Sequence, residues 1–297
     1  MQRRIKVYKQ NAAYHCMTRV VAGEKLLDER CKEVLRKQMH QLADFCGLEV
    51  ITYCMMSNHF HVLVRVPYEE EVSDEELIRR FRVLYGQDEH EVEVLKSVLE
   101  ANGAEAEESR RLLLNRMGDV SVYMKELKQR FSIWFNHCYD RFGTLWSERF
   151  KSVLVENTTR ALRVVGAYID LNPVRAGLVD DPADYRWCGY AEAEAGHDSA
   201  REGVCMLMET NPYEEAVSGY RMLLFGTSQK GCKGLERVIS AEAAREVIRS
   251  GGKLPLSALL RLRVRYFIDG AVLGSQEYVQ NYYEDYYKEE GDKRKDG

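Results

Sequence analysis

The chain is poor in the residues that stiffen or staple a fold. It has five prolines and three tryptophans in 297 residues, and its eight cysteines include no C-x-x-C pair. The cysteines stand at 16, 31, 46, 54, 138, 188, 205 and 232, too scattered for a zinc ribbon or a disulfide scaffold. They read as reduced, mostly buried small hydrophobes. No run approaches the roughly 18 unbroken apolar residues of a spanning helix, and Met1-Gln2-Arg3-Arg4-Ile5-Lys6 has no apolar signal-peptide core. A cytoplasmic protein with no membrane partner is expected. Basic charge is not in surplus either, with 43 Lys+Arg against 47 Asp+Glu and a net charge of −4, which taken whole argues against nucleic acid.

The distribution of charge reverses that inference. Residues 1–66 hold 11 basic and 6 acidic side chains, 67–118 hold 7 and 14, 119–175 hold 9 and 6, and 176–297 hold 16 and 21. Two basic blocks flank an acidic one. With 45% hydrophobic and 30% charged residues the chain is an ordinary globular protein, of a length for one large domain or two smaller ones.

Residues 13–22 are rich in strand formers, and Glu24 to Phe45 repeats apolar residues at helical spacing (Leu27, Cys31, Val34, Leu35, Met39, Leu42) up to Gly47. Leu48–Met55 and His59–Val66 read as strands joined by the turn Met56-Ser57-Asn58. Residues 67–118 switch to charged helical segments broken at Asn102-Gly103, an acidic helical insertion. An amphipathic helix over Val120–Cys138, a strand over Phe150–Val155 and a helix from about Thr159 to Leu171 follow, the last capped by Asn157-Thr158 and stopped by Pro173. Without the insertion the order is β-α-β-β-α-β plus a helix. That predicts an α+β, ferredoxin-like (RRM-like) antiparallel sheet with helices on one face, leaving the other face for a site.

Along His59-Phe60-His61-Val62-Leu63-Val64-Arg65-Val66 the odd positions share one face, so His59 and His61 stand side by side there. That spacing suits two imidazoles on one divalent ion, but on spacing alone two hydrogen-bonded surface histidines are the commoner case. On the last helix Tyr168 and Asn172 are four residues apart and neighbour one another. By periodicity alone they are a core tyrosine and a C-terminal capping asparagine.

Met56-Ser57-Asn58-His59-Phe60-His61-Val62-Leu63-Val64, then Gly143-Thr144-Leu145-Trp146-Ser147-Glu148-Arg149-Phe150-Lys151, then Tyr168-Ile169-Asp170-Leu171-Asn172-Pro173-Val174-Arg175-Ala176-Gly177 resemble the REP-associated tyrosine transposases. These belong to the single-tyrosine His-hydrophobe-His (HUH) transposases of small insertion sequences. With Asp184-Tyr185-Arg186-Trp187-Cys188-Gly189-Tyr190 the resemblance spans about residues 10–190. It implies Tyr168 as catalytic nucleophile, and His59, His61 and Asn172 as ligands of Mg²⁺ or Mn²⁺. It also implies cleavage and rejoining of single-stranded DNA at hairpin-associated sites through a 5′-phosphotyrosine, by a monomer or homodimer in a bacterial cytosol near the nucleoid. Asp170 is close enough in sequence to stand behind the ligands. Arg65, Arg149, Lys151, Lys125, Lys128 and Arg130 are candidate DNA contacts. The alternative is a domesticated DNA- or RNA-hairpin-binding protein without strand transfer.

The expected domains are therefore 1–190, interrupted at about 67–118, and a helical region 191–297. In the latter, Tyr213–Leu224 and Ala241–Ile248 have helical patterns, and Leu256–Ile268, the turn Asp269-Gly270 and a helix opening at Ser275 resemble a helix-turn-helix. Asp292–Gly297 reads as a tail.

Overall fold

A computed structural model describes residues 10–68, 71–86, 89–225 and 271–282. The elements are β1 (Ala12–Arg19), α1 (Glu29–Cys46), β2 (Glu49–Met55), β3 (His59–Val66), α2 (Asp74–Tyr85), α3 (Glu89–Ala101), α4 (Ala104–Leu114) and α5 (Val120–Cys138). There follow β4 (Lys151–Val155), α6 (Thr159–Asp170), the single turn α7 (Asn172–Arg175), α8 (Gly189–Glu194), α9 (Asp198–Met208), α10 (Tyr213–Phe225) and β5 (Val272–Leu273). The sheet order is β2-β3-β1-β4-β5. The first four strands are antiparallel neighbours in the ferredoxin-like order, and β5 adds in parallel to β4.

Local chemistry sets the boundaries. The Asp28 carboxylate accepts a hydrogen bond from the Cys31 amide (2.8 Å) and starts α1, and Gly47 ends it at φ +67°. A Cβ at Gly47 would also collide with the Arg80 guanidinium. The β2–β3 turn closes through Met56 N to His59 O (2.8 Å). Pro173 does not end the helical path after Asp170. It sits in the first turn of α7, where its missing N–H costs nothing, and Arg175 N bonds back to Leu171 O (2.9 Å). Thr158 is the N-cap of α6 but makes no side-chain cap bond.

Strand alternation divides the core in two. Phe60, Val62 and Val64 of β3 pack with Leu35, Met39 and Leu42 of α1 and Tyr123, Leu127 and Phe131 of α5. Leu63, Ala13, Ile51 and Val153 face the other way, against Val165, Ala167 and Tyr168 of α6 and the helices beyond. Helices α1 and α5 thus share a face as expected, but the second face is not open. It carries α6 and α8 to α10, because α6 is apolar along Ala161, Leu162, Val165, Tyr168 and Ile169, and α9 comes close to β2. The close approach depends on Gly203, where a Cβ would collide with Ile51 O.

The insertion is helical, as its charge pattern predicts, and sits on the α1/α5 side. Leu77 and Leu113 enter that core, Arg80 pairs with Glu76 (2.7 Å), and Arg116 pairs with Glu126 (2.8 Å) while lying over Phe45. None of the seven described cysteines is in a disulfide. Burial pushes Cys31 up to about 11, the mark of a thiol held neutral. Of the expected C-terminal elements, Ala241–Ile248, Leu256–Ile268, the turn Asp269-Gly270 and the tail Asp292–Gly297 lie outside the described residues. Residues 276–282 are helical, and Glu156 on the sheet edge accepts from the Ser275 amide (2.7 Å).

Candidate active site

The histidine face is built at the end of β3 where that strand begins. Register places Arg19 opposite His59, Met17 opposite His61 and His15 opposite Leu63, with Lys151 of β4 opposite Met17. Helix α6 crosses this face and brings Tyr168 down near its C-terminal end. The Tyr168 ring centroid lies 6.1 Å from that of His61 and 6.2 Å from that of His15. His59 and His61 are 5.1 Å apart and nearly perpendicular (86°). One chain thus brings together His59, His61 and Tyr168, three residues drawn from two distant sequence blocks.

His15 was not among the expected site residues. Its Nε2 lies 2.9 Å from His61 Nδ1, with both rings buried. The signal was present in the alternation Ala13, His15, Met17, Arg19, but a single histidine in a strand has no recognisable partner until the register is known. Arg175 was also missed. Its guanidinium carbon stands 4.1 Å from the Tyr168 ring centroid, and Nη2 donates to Tyr168 O (2.7 Å). Seven residues after Tyr168, it falls on the same side of the helical path.

Electrostatics follow from this crowding. Burial, then the charges of His15, His59, Arg175 and Arg19, hold His61 well below the ordinary histidine value, so its imidazole is neutral. His59 Nδ1 donates to Asn58 Oδ1 (2.6 Å), which in a neutral ring puts the lone pair on Nε2. His61 is therefore in the neutral form that can bind metal. Two imidazoles bound at about 2.1 Å to one ion have their centroids roughly 5 Å apart, which is the separation this pair shows. Among the described residues no three His, Cys, Asp or Glu side chains are grouped to hold a metal.

Asn172 caps its own helix. Its Nδ2 donates to Ile169 O (3.0 Å) and Tyr168 O (3.3 Å), the geometry that periodicity alone predicts. Asp170 does not stand behind the histidines. Two positions along a helix are about 200° apart, and Asp170 instead accepts from Thr52 Oγ1 (2.8 Å), Tyr220 OH (2.6 Å) and Tyr190 N (3.3 Å). Burial pushes its carboxyl up to about 6, against the pull of those bonds.

The expected DNA contacts fall on two sides of the sheet. Lys151 shares the histidine face, Arg149 precedes it as an exposed residue, and Arg65, farther along β3, pairs with Glu49. Lys125, Lys128 and Arg130 lie on α5, behind the sheet. Lys125 is exposed, Lys128 Nζ donates to Glu148 O (2.7 Å), and Arg130 donates to Tyr85 OH (3.0 Å) of the insertion.

Residues 8–95 match the family Transposase IS200 like. That segment contains Met56–Val64, the first of the three blocks on which the sequence resemblance to transposases rests, and the two readings agree there. No curated protein matches the chain. A solved structure of a REP-associated tyrosine transposase bound to a REP hairpin is similar at 15% identity, over 66% of this chain and 87% of that one, with a TM-score of 0.42.

Proposed function

We propose that this chain, whose residues 8–95 match the IS200-like transposases, cleaves and rejoins single-stranded DNA beside hairpins, with Tyr168 as nucleophile. The observation that carries the reading is the approach of the Tyr168 ring to 6.1 Å from His61 within one chain. In the proposed step the Tyr168 hydroxyl oxygen bonds to a backbone phosphorus, the P–O3′ bond breaks, and the 3′ oxygen leaves as a hydroxyl after taking a proton. The product is a 5′-phosphotyrosine that keeps the phosphodiester energy, so attack by another 3′-hydroxyl rejoins strands without ATP.

A tyrosine of ordinary pKa about 10 is a weak nucleophile at neutral pH and needs positive charge around the phosphate. His59 and His61 would hold Mg²⁺ or Mn²⁺, which withdraws charge from the phosphate oxygens. The protein's own residues add to this. Neutral imidazoles leave the cation's charge undiminished, His15 fixes the His61 ring, and Arg175 and Arg19 bring further positive charge toward the site. Asn172 and Arg175 together hold the end of α6, so the nucleophile's backbone is fixed to the turn that follows it.

Tyr168 is 1% exposed, so a phosphate reaches its oxygen only if the groups that cover the ring move. The same observation favours the alternative of hairpin binding without chemistry. Incubation of the protein with a labelled single-stranded hairpin oligonucleotide library and Mn²⁺ or Mg²⁺ separates the two. Strand transfer gives a denaturation-resistant adduct that Tyr168→Phe abolishes, whereas tight binding with no adduct under either ion supports the binding protein.

A further inference from the structure

We propose that Phe142 is a stacking site for an unpaired nucleobase of the bound strand. Phe142 is 90% exposed, the most exposed of the large apolar side chains among the described residues. Burying a phenylalanine is worth roughly 1.5–3 kcal/mol, so a ring left in water while its backbone is held in place is available to a ligand.

The backbone around it is held. Arg141 N donates to Asn136 O (3.0 Å) and Asn136 Nδ2 to Gly143 O (3.1 Å), closing the turn that carries the ring. Gly143 takes φ +91° and Asp140 φ +45°, which turn the chain back toward the sheet. From there Val21 N donates to Leu145 O (2.9 Å), Val20 pairs with Trp146, and Ser147 N donates to Arg19 O (3.0 Å).

Those bonds also locate the loop. Val20 N donates to Asn58 O (2.9 Å), and Arg19 is opposite His59 in the register. The loop after α5, the turn after β1 and the Met56–Asn58 turn are thus stitched together at the end of the sheet where the histidines begin. Cations flank the loop in the sequence and across the register: Arg141 precedes the ring and pairs with Glu24 (3.5 Å), Arg149 and Lys151 follow the loop, and Arg19 ends β1 opposite His59. An exposed aromatic on a loop stitched to the end of the sheet that carries the histidines, with cations along the same segment, is a combination suited to single strands, where bases stack and the backbone is neutralised. One ring among charges offers too little contiguous apolar area for a protein interface.

This inference rests on the proposed single-stranded DNA substrate. Phe142→Ala, Phe142→Leu and Phe142→Trp are compared with wild type for binding a labelled hairpin oligonucleotide that carries an unpaired flank. The expected losses for the Ala and Leu variants are between about 5-fold and about 140-fold, the range that about 1–3 kcal/mol of stacking converts to. The Phe142→Trp variant binds as wild type does, and its added fluorescence is quenched by the oligonucleotide. Binding by the Ala and Leu variants equal to wild type, or added fluorescence of Phe142→Trp that the oligonucleotide leaves unquenched, overturns the stacking site and leaves the strand-transfer reading standing. Wild type that binds no single strand overturns that reading instead, and the stacking site with it. A change in sedimentation of the Ala variant from dimer to monomer would make Phe142 a contact between copies and also overturns the proposal.

Discussion

His15 and His61 share one short contact in a buried site, and that contact orients the ring proposed to take a metal. A nitrogen that sets the angle of a ligating imidazole commonly contributes 10- to 100-fold to metal affinity. His15→Ala is therefore expected to weaken Mn²⁺ binding by about that factor, read by electron paramagnetic resonance of free Mn²⁺, while His15→Gln recovers part of it by keeping a polar partner for Nδ1. Equal Mn²⁺ affinity in wild type and both variants would remove His15 from the site. His59 and His61 were legible in the sequence because two histidines two apart on a strand must share a face. His15 was not, because its partner lies 46 residues away and is set by the β1–β3 register. Asn172 shows the opposite outcome, since its helix-capping geometry is what spacing alone foretold.

Elements are locked together by buried carboxylates. Asp170 ties α6 to β2, α8 and α10, and thereby fixes the rotation of the helix that carries Tyr168. Glu192 of α8 does similar work toward α1 and β2 through Arg36, His40 and Tyr53. Burial pushes Glu192 up, but His40 at 3.4 Å, the hydrogen bond from Tyr53 and the Arg36 charge outweigh it and bring it down to about 2 from 4.5. A carboxylate depressed on folding stabilises the protein above its unfolded value and loses that contribution as pH falls through the folded one. The stability gap between wild type and Glu192→Gln, measured by urea unfolding, is thus expected to be largest above pH 5. It should shrink between about pH 4.5 and 2, by on the order of 3 kcal/mol. A gap constant over that range would contradict the assignment. Strands and long helices were legible from alternation and 3.6-residue spacing, with α5 read at Val120–Cys138. The covering of the second face was not. Helix α8 has only six residues, and the glycine that lets α9 approach β2 looks like a breaker in isolation.

Across the whole molecule the charge segregation has a spatial counterpart. The acidic insertion is fastened to the α1/α5 side, while Arg19, Lys151 and Arg175 belong to the face with the histidines. Each phosphate contact on a single strand contributes about 0.7 to the slope of log affinity against log salt. Lys151→Gln is expected to lower that slope by about 0.7, and Lys125→Gln, behind the sheet, to leave it unchanged. The reverse result would move the strand to the α5 side.

The central claim is that the Tyr168 oxygen forms a bond to DNA phosphorus. It is tested most directly by digesting the protein after reaction with a hairpin oligonucleotide and locating the nucleotide-bearing peptide by mass spectrometry. The account predicts a single modified peptide, with the 5′-phosphate on Tyr168 and no adduct in Tyr168→Phe. An adduct on another residue, or one that persists in Tyr168→Phe, would contradict it.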